Sequence, residues 1–123
     1  MAGDQIEIQL PKTQYNERTS FTATAYFRTR ATGAAATPTT VHYRIDNLST
    51  QLQVLDWTSV TPATTASITV KGAENVISVN SRSVYGATPT WQRMALTVAI
   101  DKDLDTQVTQ TKTWKVNNIF GVS

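Results

Sequence analysis

The stretch Phe21-Thr-Ala-Thr-Ala-Tyr-Phe-Arg28 decides the fold class. Phe21, Ala23, Ala25 and Phe27 alternate with Thr22, Thr24, Tyr26 and Arg28. Successive side chains of an extended chain point to opposite faces, so a period of two lays an apolar face on a core and leaves a polar face outside. Threonine at the outward positions suits a pleated surface.

The same period recurs on both sides of this stretch. Toward the N-terminus, Ile6, Ile8 and Leu10 alternate with Gln5, Glu7 and Gln9 until Pro11 stops the run. Toward the C-terminus the apolar positions are Val41, Tyr43 and Ile45, then Leu52 and Val54, Ile68 and Val70, Leu96, Val98 and Ile100, and Trp114 and Val116. The runs are separated by polar loops at 31–40, 58–66 and 81–90, which carry Gly33, Pro38, Pro62, Gly86 and Pro89, and by an acidic turn at 102–106. The best helical rival is 48–57, where Leu48, Leu52 and Leu55 would share a face. Its β-branched and aromatic neighbours favour a bulged strand running to Trp57. Short strands at such spacing predict one all-β sandwich or barrel, with no internal repeat and no second domain.

Composition removes whole classes of chemistry. The 123 residues include no cysteine and one histidine. A disulfide scaffold, thiolate zinc sites, thiol catalysis and iron–sulfur chemistry are excluded. Eleven Lys and Arg against nine Asp and Glu give a net charge of +2. The basic residues are dispersed, and only Arg28 and Arg30 fall close together on one strand face. No basic run tracks phosphates, so no nucleic-acid partner is expected. No stretch approaches the roughly 20 apolar residues of a membrane span, so no membrane partner is expected. Residues 1–5 lack the charged and apolar regions of a signal peptide, so synthesis in a cytoplasm is expected. Asn47-Leu-Ser49 then reads as a turn after a strand rather than a glycosylation site.

No residue of the sequence stands out as catalytic or cofactor-binding, and the chain is expected not to be an enzyme. His42 is out of phase with Val41 and Tyr43 and reads as an outward strand histidine, not a general base. The acids give no convergent pair. Asp101-Lys-Asp-Leu-Asp105 opens like a calcium loop, but Thr106 stands where the loop needs glycine and Lys112 where it needs glutamate. Asp101, Asp103 and Asp105 are therefore a weak calcium candidate in what reads as a solvated hairpin turn. No GxGxxG or Walker pattern supports a nucleotide. Phe21, Phe27, Tyr43 and Trp114 are in phase with the core, and Trp57 is placed at one end of it. Tyr85 and Trp91 lie in or beside a loop, outside that pattern. Tyr and Trp anchor interfaces, so Tyr85 and Trp91, with nearby Arg82 and Arg93, are the protein-interaction candidates.

The order of the motifs carries a resemblance. Val41-His-Tyr-Arg-Ile-Asp46 is followed by Asp56-Trp-Thr58, Ser67-Ile-Thr-Val70 and Gly72-Ala-Glu-Asn-Val-Ile77. Arg93-Met-Ala-Leu-Thr-Val-Ala-Ile-Asp101 and the closing Thr113-Trp-Lys-Val-Asn-Asn-Ile-Phe-Gly-Val122 complete it. Over nearly its whole length the chain resembles small immunoglobulin- or fibronectin-III-like β-sandwich proteins encoded among the structural genes of tailed bacteriophages. The resemblance implies a single sandwich domain over 1–123 of about seven antiparallel strands, with 1–5 a candidate flexible lead. It implies a non-enzymatic virion structural protein, foremost a capsid decoration protein. The alternatives are a tail or head–tail accessory protein, or a receptor- or glycan-binding module. Partners would be the major capsid protein or tail and neck proteins, with homo-oligomerisation inside the particle a further expectation. Edge strands dock partners by strand addition, and 6–10 is the candidate edge.

Overall fold

The computed structural model describes residues 4–77 and 91–117. The alternating runs form eight strands: β1 (Asp4–Gln9), β2 (Gln14–Asn16), β3 (Phe21–Thr29), β4 (Val41–Asn47), β5 (Leu52–Val60), β6 (Thr65–Val70), β7 (Trp91–Ile100) and β8 (Val108–Asn117). They make a three-stranded sheet of order β1-β3-β6 and a five-stranded sheet of order β2-β8-β7-β4-β5. The two sheets pack as an immunoglobulin-like all-β sandwich.

Two details differ from the sequence reading. There are eight strands among the described residues rather than about seven, and one pairing is parallel, β2 with β8. A three-residue strand is too short to show alternation, and its partner lies about a hundred positions away in the sequence. The bulged strand expected to end at Trp57 runs on to Val60, with register shifts against β4 around Ile45.

β3, the deciding stretch, is the middle strand of its sheet, and Ala23, Ala25 and Phe27 are fully buried. Ile6 faces Phe27 from β1, and Ile68 faces Ala23 from β6. From the opposite sheet, Ile45, Met94, Leu96, Val98, Ile100, Trp114 and Val116 close the same core. Tyr43, expected inside, is only half-buried and packs on the core's margin. An aromatic chain bridges the sheets. Tyr15 stacks on Phe21 with ring centroids 4.0 Å apart, and Phe21 meets Trp114 edge-on at 5.1 Å. Such pairs add about 0.5–1.5 kcal/mol beyond their burial. Burial raises the Tyr15 phenol's pKa, while its hydroxyl oxygen accepts the Lys12 N–H at 2.8 Å.

Beneath this chain, the turn after β6 locks onto the turn after β2. Asn75 is fully buried. Its Oδ1 accepts the Trp114 indole N–H at 2.9 Å, and its Nδ2 donates to Thr19 O at 3.0 Å. Its own carbonyl accepts the Arg18 N–H. Gly72 lies in the same contact, where an added Cβ would stand 2.6 Å from Arg18 O. The obstacle is backbone, which has no flexible end to move aside. Gly72→Ala should therefore cost about 1–3 kcal/mol, the range of overpacking. A denaturant midpoint equal to that of the parent would show that the turn yields freely.

Candidate functional site

Along β7 the inward residues are Gln92, Met94, Leu96, Val98 and Ile100, which places Trp91, Arg93 and Thr97 on the outer face of the five-stranded sheet. Trp91 is the first residue of β7, directly beside the 81–90 loop, and remains 46% exposed. Arg93 stands directly opposite Lys115 of β8. Both cations lean over the indole, Arg93 Cζ at 5.9 Å and Lys115 Nζ at 5.1 Å from the ring centroid. Tyr85 and Arg82, the other interaction candidates, lie outside the described residues.

The turn between β4 and β5 completes this end of the sheet. The Leu48 N–H donates to Arg93 O, and the Arg93 N–H donates to Ser49 Oγ. The turn thus holds Leu48 and Leu52, both about half exposed, at the same end as Trp91. The chain has four exposed large apolar side chains among its described residues, and three of them lie at this end of the five-stranded sheet. Asn47 anchors the turn from below. Its Nδ2 donates to Gln92 Oε1 at 2.7 Å, and its Oδ1 accepts the Thr50 N–H. Asn47 is fully buried, as a turn residue that caps its own strand and not as an open sequon.

A second tryptophan makes the contrast that identifies the site. Trp57 does not close an end of the core as expected. It lies half-buried on β5 between Arg44, 5.6 Å from its ring, and Lys102, 5.5 Å away. Those two cations are neutralised. Arg44 makes a two-pronged bond to Asp46 at 2.9 and 2.7 Å, and Lys102 pairs with Asp103 at 3.1 Å. Arg28, over Tyr26, is likewise paired with Glu7 at 2.7 Å. These are the three ion pairs among the described residues, and neither Arg93 nor Lys115 belongs to one. Like charges directly opposite on neighbouring strands destabilise a sheet. The Trp91 end therefore holds an aromatic anchor, two exposed leucines and an uncompensated pair of cations. That combination suits an anionic, partly apolar protein surface.

The other candidates do different work. Asp101 adopts a left-handed φ of 53° in the β7–β8 turn and is buried, where a solvated turn was expected. Its Oδ1 accepts the Thr39 N–H, and its Oδ2 accepts the Thr106 hydroxyl. The carboxylate thus ties the loop before β4 to this turn. Asp103 and Asp105 do not join it in a cage, since among the described residues no three His, Cys, Asp or Glu side chains are placed to hold a metal ion. His42 is half-buried on the face opposite Val41, between Ser59 and Ala99, and its Nδ1 is buried with no hydrogen-bond partner among the described residues.

Sequence reasoning found Trp91 and Arg93 but missed Lys115, Leu48 and Leu52. Lys115 could be seen only through the register that sets it against Arg93. Comparisons with family models, curated proteins and solved structures found no match for the chain.

Proposed function

We propose that this chain is a non-enzymatic structural protein of a tailed-phage virion, a capsid decoration module that docks through its Trp91 end. The carrying observation is the Arg93–Lys115 pair, two opposed cations that no acid among the described residues pairs, set around a half-exposed tryptophan. Among the described residues the other cations set over aromatic rings are each matched by a carboxylate, and this pair waits for charge supplied from outside. The order of motifs that resembles phage sandwich proteins supplies the setting. A repeated capsid lattice would add many modest contacts of this kind through avidity.

The test is binding of the purified full chain to intact particles and to empty capsids, with stoichiometry. Saturation on capsids at a symmetry-matched copy number is expected. A few copies per particle would replace the lattice by the neck or tail. A folded chain that binds no particle but binds sugars saturably would overturn the reading in favour of a glycan-binding module.

A further inference from the structure

We propose that β6 is a homodimerisation edge, pairing antiparallel with β6 of a second copy to join two three-stranded sheets into one of six strands. The inference is independent of the Trp91 surface, because it rests on the other sheet.

A sheet edge presents unpaired backbone groups, and proteins blunt such edges with charges, bulges, proline or brevity. Among the described residues the two sheets have four edges, and three of them are blunted. β1 carries Asp4 and Glu7, the latter paired with Arg28. β5 carries Asp56 and is bulged against β4. β2 is three residues long. β6, Thr65-Ala-Ser-Ile-Thr-Val70, has no charge and no proline, and its pairing with β3 runs without a register shift from Thr65 to Val70.

The register shows which groups are offered. The Phe27 N–H donates to Thr64 O at 3.0 Å, so residue 64 turns its backbone toward β3. Bonding direction alternates along an antiparallel strand. Ala66, Ile68 and Val70 therefore also bond toward β3, and Thr65, Ser67 and Thr69 direct their N–H and C=O groups away from it.

These groups are complementary to themselves. With Ser67 opposite Ser67 of the second copy, Thr65 meets Thr69 and Thr69 meets Thr65. Every outward N–H of the three residues then finds an outward C=O. The faces match as well. Exposed hydroxyl side chains oppose hydroxyl side chains, and buried Ala66 opposes buried Ile68. No charge is repelled across the two-fold axis. This isologous match favours a second copy over an unrelated extended segment as the occupant.

The test uses the full chain in sedimentation and in cysteine cross-linking, since the protein has no cysteine of its own. Concentration-dependent dimers are expected. Ser67→Pro removes an N–H that β3 does not use, and Ser67→Lys sets like charges face to face. Both should be monomeric with parental circular dichroism, and the lysine variant decides the matter if the proline variant fails to fold. On oxidation in air with a copper catalyst, Ser67→Cys should link, because hydrogen-bonded partners lie about 5.5 Å apart at Cα. Thr69→Cys should not, because its counterpart is four residues further along, about 13 Å away. Dimers that persist in Ser67→Lys, or Ser67→Cys linking no faster than Thr111→Cys on the other sheet, would overturn the proposal.

Discussion

Asn75→Ala is expected to lower stability by about 2–6 kcal/mol. The substitution leaves the buried Trp114 N–H with no acceptor and takes the donor from Thr19 O. Each buried group left unsatisfied costs about 1–3 kcal/mol. Domains of this kind are stable by only about 5–15 kcal/mol, so the loss is a large fraction of the total. The thermal midpoint should fall by about 10 °C or more. Asn75→Asp separates the two bonds. Its carboxyl still accepts the indole N–H, but a carboxylate oxygen would face Thr19 O, whereas the protonated acid could donate to it. Burial would raise this acid's pKa above its unfolded value of about 3.9. The penalty should be absent below that value and grow as pH rises toward the folded pKa. Denaturant melts across pH check both variants. An alanine variant within about 0.5 kcal/mol of the parent would show that the turn does not hold the tryptophan.

At the Trp91 end, Trp91→Ala is expected to weaken particle binding about 30-fold with little change in melting temperature. Truncating an aromatic anchor at an interface centre typically costs about 2 kcal/mol or more, which is that factor. Lys115→Glu is the sharper variant, because it moves two quantities in opposite directions. It replaces a like-charge pair opposite Arg93 by an ion pair and should stabilise the fold by about 0.2–1 kcal/mol. It also removes the unmatched positive charge, so binding to an acidic surface should fall. A variant that is less stable and binds normally would assign the two cations to the fold instead. Salt should weaken the parent's binding as it screens the same charges.

Much of the fold was legible because half-buried strands write their geometry directly into the chain. Ile6, Ile8, Phe21, Phe27, Ile45, Ile68, Leu96, Val98, Trp114 and Val116 all face the core that their alternation implied. What escaped depends on contacts between distant segments. Tyr15 has no alternating neighbours, and only its stacking on Phe21 makes it a core residue. Asn75 looks like any polar turn residue until the indole of Trp114 is found against it. Asp101 reads as an exposed acid because nothing in 101–106 reveals that Thr39 will approach it. The Trp91 end shows the same division. Trp91 broke the core pattern and was visible for that reason, whereas Lys115 sits in an ordinary strand and gains meaning only beside Arg93.

The parallel pairing of β2 with β8 also bears on how the molecule would respond to pulling. The two strands run side by side in the same direction, with Gln14 opposite Lys115 and Asn16 opposite Asn117. Tension applied to the chain entering β2 and leaving β8 would draw them past each other along their common axis. Their hydrogen bonds would then be loaded in shear and have to fail together, rather than open one at a time like a zip. Loaded between those two points, the chain would resist stretching through this short seam.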